Sequence, residues 1–387
     1  GNGTLNFTRA GAQNIITNQG DVTLDGATSS FSRINTLTDN QGAFRLLGAR
    51  NFTAVGAFNN SGVLQLGGGT FNAPSLTNNV VGQRIGEIFG FGTVTPTVLN
   101  HGLVRANGGL LTMTGGIDGQ SGTIQVDAGA TLALGASSDG DLLINNGTLA
   151  LGTSNVTVAQ DYQNGGFGEG NGFNARANVT GTGQILAAGN VAQALTGDVT
   201  DGASAAAQMS FGNIHVGDQV TRNFAVSNAG STGPALRGAL QTSANGGNLT
   251  DARLSGSGVT AGNFGPIAAG ASSTPFSVTL TGASAGALSG QAVAVVNNFD
   301  NVAEQVLSIS GAVFRYANPT AHTPEPVVFA NRRVGDSASQ LLSLTNDVPN
   351  DGFSESLDAS IGGATGNAST NGGSFSLLAA GGTNASA

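Results

Sequence analysis

A turn-and-strand unit, Gly followed by alternating apolar residues, returns through the first half of the chain about every twenty residues. It reads GDVTL from Gly20, GAFRL from Gly42, GVLQL from Gly62, GLVRA from Gly102, GTIQV from Gly122 and GTLAL from Gly147. GTLNF from Gly3 and GQILA from Gly183 are outlying copies. The step is 22 residues from Gly20 to Gly42 and 20 from Gly42 to Gly62 and again from Gly102 to Gly122. One step is missing between Gly62 and Gly102, where the pattern slips and GEIF from Gly86 is a distorted copy. Asn stands two residues before the Gly at Asn18, Asn40, Asn60 and Asn100, with Gln120 and Asn145 as later equivalents.

A fixed period of this length is the signature of a solenoid, in which one repeat cannot bury its own apolar face and neighbours must stack. A second, weaker strand in each copy (FSRINTLT from Phe31, FTAVGAF from Phe52, LTMTG from Leu111, VTVAQ from Val156) gives the two or three short strands of a parallel β-helix coil. The corner Gly is expected to supply a positive φ. The Asn is expected to tolerate the corner and to stack in a ladder with the next coil's Asn. Val22, Leu24, Phe44, Leu46, Leu64, Leu66, Ile124, Val126, Leu149 and Leu151 are predicted to face the core, because each follows a corner at an alternating position. The segment from Asp161 to Val179 reads as an inserted excursion, and GQILAAG from Gly183 as the last coil.

A different repeat begins after a linker over 196–207. MSFGNIHVGDQVTRNFAVSNAG from Met209 matches VVFANRRVGDSASQLLSLTNDV from Val327, with Phe211 over Phe329, Gly217 over Gly335, Asp218 over Asp336 and Asn228 over Asn346, always 118 residues apart. Alternating strands follow in the first unit at FSVTLTG, QAVAVVNNF and QVLSISGAVF. Several short strands with Gly turns in about 110 residues indicate a β-sandwich. The predicted organisation is therefore all-β: a solenoid over 1–195, the linker, a sandwich over 208–315, a Pro-rich hinge over 316–326, and a second sandwich over 327–387. The second unit reaches Ala387 where the first has just passed IAAGAS, so its last strands are expected either from a longer parent chain or from a neighbouring subunit.

The phrase FGNIHVGDQVTRNFAVSNAG resembles the opening of choice-of-anchor D modules, immunoglobulin-like repeats of bacterial surface proteins. The resemblance covers roughly 208–314, with a partial copy at 326–387. The first half is similar to the β-strand repeats of autotransporters and filamentous haemagglutinins. These resemblances imply export, surface attachment and tandem immunoglobulin-like modules, and they bring no catalytic residues with them.

Composition narrows the functional classes. Charged residues are only 9%, all 13 cations are Arg, and the net charge is −9, so no basic stripe exists to neutralise phosphates and nucleic-acid binding is excluded as an expectation. No apolar run approaches the ~18 residues of a membrane span. The absence of Cys excludes disulfides and thiolate metal sites.

The three His residues, His101, His215 and His322, fall in different units without metal-ligand spacing. A polysaccharide-cleaving β-helix would need carboxylates converging on one face. The candidates are Asp118, Asp127, Asp139, Asp141 and Asp161, with Arg105 as the one central cation for a lyase. GGFGEGNGF from Gly165 is similar to Gly-rich calcium loops but lacks their Asp. The expectation is that no three ionisable side chains cluster in one cleft of the solenoid, and that there is no catalytic, cofactor or metal site. The expectation is a non-catalytic extracellular protein of the bacterial cell surface, for adhesion or structural display or as a subunit of a filament, sheath or surface layer. Its expected partners are copies of itself or neighbouring surface proteins, with carbohydrate as a further candidate; the alternative is a polysaccharide-degrading enzyme.

Overall fold

The computed structural model describes residues 4–5, 13–118, 122–136, 138–144, 148–159, 161–164 and 179–385. Gly3, Gln120, Asn145, Gly147 and the segment GGFGEGNGF from Gly165 lie outside these. The chain is all-β and opens with a parallel β-solenoid of about 7 turns. Among the described residues no helix is long and apolar enough to cross a membrane.

Each full coil has two main strands. The strands Thr17–Asn18, Asp39–Asn40, Phe58–Asn60, Leu76–Asn78, Val98–Asn100 and Ile117–Asp118 stack in parallel as one sheet. After the corner, Asp21–Asp25, Ala43–Leu47, Val63–Asn72, Glu87–Val94, Leu103–Met113, Thr123–Val126, Asp141–Ile144 and Tyr162–Asn164 stack as a second sheet. A short third sheet, Ser138–Asp139, Val156–Val158 and Ile185–Ala187, closes the late coils. Ile185–Ala187 thus continues the weaker strand at Val156; it is not a further corner strand. Of the ten predicted core residues, nine are buried and Val22 is half-buried against the same core.

The corner asparagines form a continuous buried ladder. Asn18 Nδ2 donates to Asn40 Oδ1 at 2.8 Å, Asn40 to Asn60 at 2.7 Å, Asn60 to Asn78 at 2.8 Å and Asn78 to Asn100 at 2.8 Å. Asn78 is the rung missing from the sequence pattern. Its distance to the next corner is stretched by an inserted hairpin, Val80–Val81 against Arg84–Ile85, so Gly86 is the true corner of that coil.

The glycines of these corners serve a purpose other than the expected one. Gly20, Gly42, Gly62, Gly86, Gly102 and Gly122 do not have a left-handed φ. A Cβ on Gly42 would instead run into the carbonyl oxygen of Gly20, one on Gly62 into that of Gly42, and one on Gly102 into that of Gly86. Close approach of one coil to the next, not turn geometry, demands Gly there.

The following unit is built of two sheets consistent with a β-sandwich. One contains Gln193–Gly197, Gln219–Asn228, Phe276–Thr281 and Leu254–Ser255. The other contains Ala206–His215, Gln305–Phe314, Gln291–Asn297, Leu236–Gln241 and Gly262–Ile267. Ala206–His215 and Gln305–Phe314 run parallel; the remaining principal pairs are antiparallel. Gln193–Gly197, placed by sequence at the junction of solenoid and linker, pairs with Gln219–Asn228 and so belongs to this unit. The segment read as a hinge likewise bridges into the second unit, Pro319 with Asn346 and Thr323 with Ser343.

Solenoid and sandwich share one hydrophobic core. The loop after Gln291–Asn297 closes the open end of the last coil. Phe299 is buried and its ring lies 6.1 Å from that of Tyr162. Asp300 accepts from the Ile185 amide at 2.7 Å and its own amide donates to the Ile185 carbonyl at 2.8 Å. Asn301 both accepts from the Ala187 amide at 2.8 Å and donates to the Ala187 carbonyl at 3.0 Å. Arg237 of the sandwich pairs with Asp161 of the solenoid at 3.2 Å.

Candidate functional site: a carboxylate cluster on the second sheet

Residues that alternate with the core positions of the second sheet point outward, and parallel register stacks them coil upon coil. Phe89 aligns with Gln65 and Arg105, and Arg105 with Gln125. Asp127 follows directly on Thr123–Val126 and its amide donates to Ala106 O at 3.0 Å, which brings its side chain beside Arg105. Three donors converge on it. Arg105 Nε reaches Oδ2 at 2.7 Å, Asn107 Nδ2 the same oxygen at 2.7 Å, and Gln125 Nε2 reaches Oδ1 at 2.6 Å. Glu87 approaches Arg105 from the other side, with 3.8 Å between Oε1 and Nη1.

The pKa values of the two carboxylates are shifted in opposite directions. Burial pushes Asp127 up, but the hydrogen bonds from Gln125, Asn107 and Arg105 and the Arg105 charge outweigh it, so its pKa lies below the ordinary value. Burial raises the pKa of Glu87, and repulsion from Asp127 adds to this against the attraction of Arg105. Asp127 is thus stabilised as the carboxylate by its donors, while burial makes Glu87 a weaker acid than an ordinary Glu. Two exposed or half-exposed rings, Phe91 and Phe89, lie on the adjoining strand.

Of the candidate residues named from sequence, only Arg105 and Asp127 are brought together here. Arg105, Asp127 and Glu87 thus meet on the outward face of the second sheet. Glu87 was missed because its copy of the repeat is displaced by the inserted hairpin; its position directly after Gly86 was the available signal. Asp118 is exposed at the end of its strand. Asp139 and Asp141, two apart in sequence, are divided between the third and second sheets. Asp141 accepts from the Asp161 amide at 3.1 Å, and Asp161 is committed to Gln163 and Arg237.

The histidines are scattered: His101 at a corner, His215 against Glu355 at 2.6 Å, His322 against Glu325 at 2.6 Å. Among the described residues no three His, Cys, Asp or Glu side chains are grouped to hold a metal ion. No family model and no curated protein matches the chain.

Proposed function

We propose that this protein is a non-catalytic extracellular scaffold of the bacterial cell surface, serving adhesion or display. The observation that carries this reading is the continuity of the core: one apolar cluster runs from Leu24 in the solenoid to Val313 in the sandwich, with a loop of the second sealing the end of the first. Such a body is a stiff spacer that holds an outer unit away from its base. The resemblance of 208–314 to immunoglobulin-like surface modules agrees with that use. The carboxylate most enclosed on the solenoid, Asp127, has both oxygens occupied by donors of its own coil or the one before, which suits a fixed strut better than a proton carrier.

The test is antibody access on intact, unpermeabilised cells of the source bacterium, combined with binding of the purified protein to host cells or surface polysaccharides. Surface staining with binding is expected; staining confined to permeabilised cells would overturn the proposal. One observation favours a second reading. Glu87 and Asp127 share Arg105 while their pKa values are pushed apart, the pattern of a general acid beside an ionised partner. Polysaccharide turnover that is lost in Glu87→Gln would establish that enzymatic reading in place of the first.

A further inference from the structure

The outward side of the second sheet carries two aromatic rings that lie outside the hydrophobic core. On the strand Glu87–Val94, Glu87, Phe89 and Phe91 alternate with the buried Ile88 and Gly90, and so stand together on the outer face. Phe91 is 39% exposed. Its ring is bracketed by glycines of the coils before and after. A Cβ on Gly68 would lie 3.4 Å from the ring, and one on Gly109 3.1 Å from its Cγ. A larger residue at either place would press on the ring or roof it over.

The polar groups beside the rings have unmet needs. Parallel register sets Gln65 on one side of Phe89 and Arg105 on the other, at the strand spacing of about 4.8 Å. Glu87 is half-buried, and among the described residues no hydrogen bond reaches its carboxylate; Arg105 Nη1 stands 3.8 Å away. Arg105 donates to Asp127 through Nε, and its two terminal nitrogens have no hydrogen-bond acceptor among the described residues. Gln65 is half-exposed and makes no side-chain hydrogen bond among them either.

The chemistry of a ligand for this face follows. The rings call for an apolar surface of C–H groups. The Glu87 carboxylate calls for a donor, and Arg105 for an acceptor. A ligand cation would be set against Arg105, and a ligand anion against Glu87 and Asp127. A neutral pyranose meets every demand, since its hydroxyls both donate and accept while its C–H face lies on Phe. The row continues with Gln125 on the far side of Arg105, so the face has room for several sugars along the solenoid axis.

We infer that the outward face around Gln65, Glu87, Phe89, Phe91 and Arg105 binds a neutral oligosaccharide laid along the coils. The inference rests on the reading of the chain as an adhesive surface protein and gives the class of ligand to which it adheres. Phe91 is the platform, Glu87 accepts from a sugar hydroxyl and Arg105 donates to one. Asp127 holds the Arg105 guanidinium in place.

Calorimetry and saturation-transfer NMR on the whole chain test this with cellohexaose, mannohexaose, chitohexaose and hexagalacturonate. At least one of the neutral sugars is expected to bind. Phe91→Leu should weaken that binding about tenfold or more, Phe91→Tyr should keep it, and Glu87→Gln should weaken it about tenfold. Both side chains lie outside the core, so these variants leave the coil packing intact. Leu99→Ala, at an exposed place on the first sheet, should change nothing. Absence of binding by every sugar, or binding that survives both Phe91→Leu and Glu87→Gln, would overturn the inference. Tighter binding of hexagalacturonate than of every neutral sugar would overturn the choice of a neutral ligand. Shortening of a bound sugar would replace binding with cleavage. Surface staining of intact cells without sugar binding would leave adhesion standing and remove this site alone; sugar binding with staining confined to permeabilised cells would do the reverse.

Discussion

The two units related by 118 residues carry the same turn, yet only the first is closed. In the first, Asp218 Oδ2 accepts from the His215 amide at 2.8 Å and the Asp218 amide returns a bond to His215 O at 3.0 Å, around Gly217 at φ 95°. In the second, Asp336 and Arg333 repeat both bonds, at 3.2 and 3.0 Å, around Gly335 at φ 99°. Asn228 and Asn346 are both fully buried. The turn and the Asn corner are satisfied by groups on hand, so they form in both units. The sheet in which Phe211 is buried is completed by Gln305–Phe314, about a hundred residues further along, whereas Phe329 is exposed and residues 327–334 enter no strand. The turn depends on neighbours in sequence, burial on a strand far along the chain.

The comparison can be broken most severely at the cover itself. Ile309→Pro removes a ladder bond and forces the strand apart, and should cost ~3 kcal/mol or more. Amide exchange over Ala206–Ile214 should then rise toward that of 327–334. Next in size is the contrast of the paired Phe residues. Phe211→Ala should lower the unfolding free energy of the first unit by about 3–5 kcal/mol in urea titrations, whereas Phe329→Ala should change that of the second by less than about 0.5 kcal/mol.

The Asn corners should behave alike. Asn228 donates to Pro234 and Ile267 carbonyls at 3.5 and 3.3 Å, and Asn346 to those of Glu355 and Leu378 at 3.0 and 3.1 Å. Alanine at either should cost about 1–3 kcal/mol, from orphaned buried carbonyls; a large inequality between the two would separate corners that look the same.

The smallest effect is one of pH. Hydrogen bonds from Arg253 hold the Asp251 carboxyl below its ordinary value of 3.8, despite its burial. A depressed carboxyl stabilises the fold above its ordinary pKa, and that contribution is lost as pH falls through the lower folded-state value. Asp251→Asn should therefore flatten the acid limb of the first unit's stability curve and leave that of the second unchanged.

The solenoid was readable because its information is local and repeated: the interval between corners, the alternation after each one, and the Asn that recurs with it. What escaped was set by contacts between coils. The corner glycines were recognised but for the wrong reason, since the carbonyl that excludes a Cβ at Gly42 belongs to Gly20, one coil away. Asn78 was overlooked because the hairpin at Val80–Ile85 separates it from Gly86. Glu87 is marked only by its place after Gly86 in a displaced copy, and the stacking of its strand on Leu103–Met113 is what brings it to Arg105. The closing loop at Phe299, Asp300 and Asn301 meets Ile185 and Ala187 across more than a hundred residues, a distance over which no pattern of spacing speaks.

That loop bears on how copies of the molecule can join. A parallel stack ends in a row of unspent amides and carbonyls, and left open such an end welcomes the first coil of another molecule. Here the last strand's polar groups at Ile185 and Ala187 are already consumed by Asp300 and Asn301, and Phe299 fills the mouth of the interior. Coil-on-coil stacking of a second molecule is therefore blocked at this end, and contacts between copies there would have to use other surfaces.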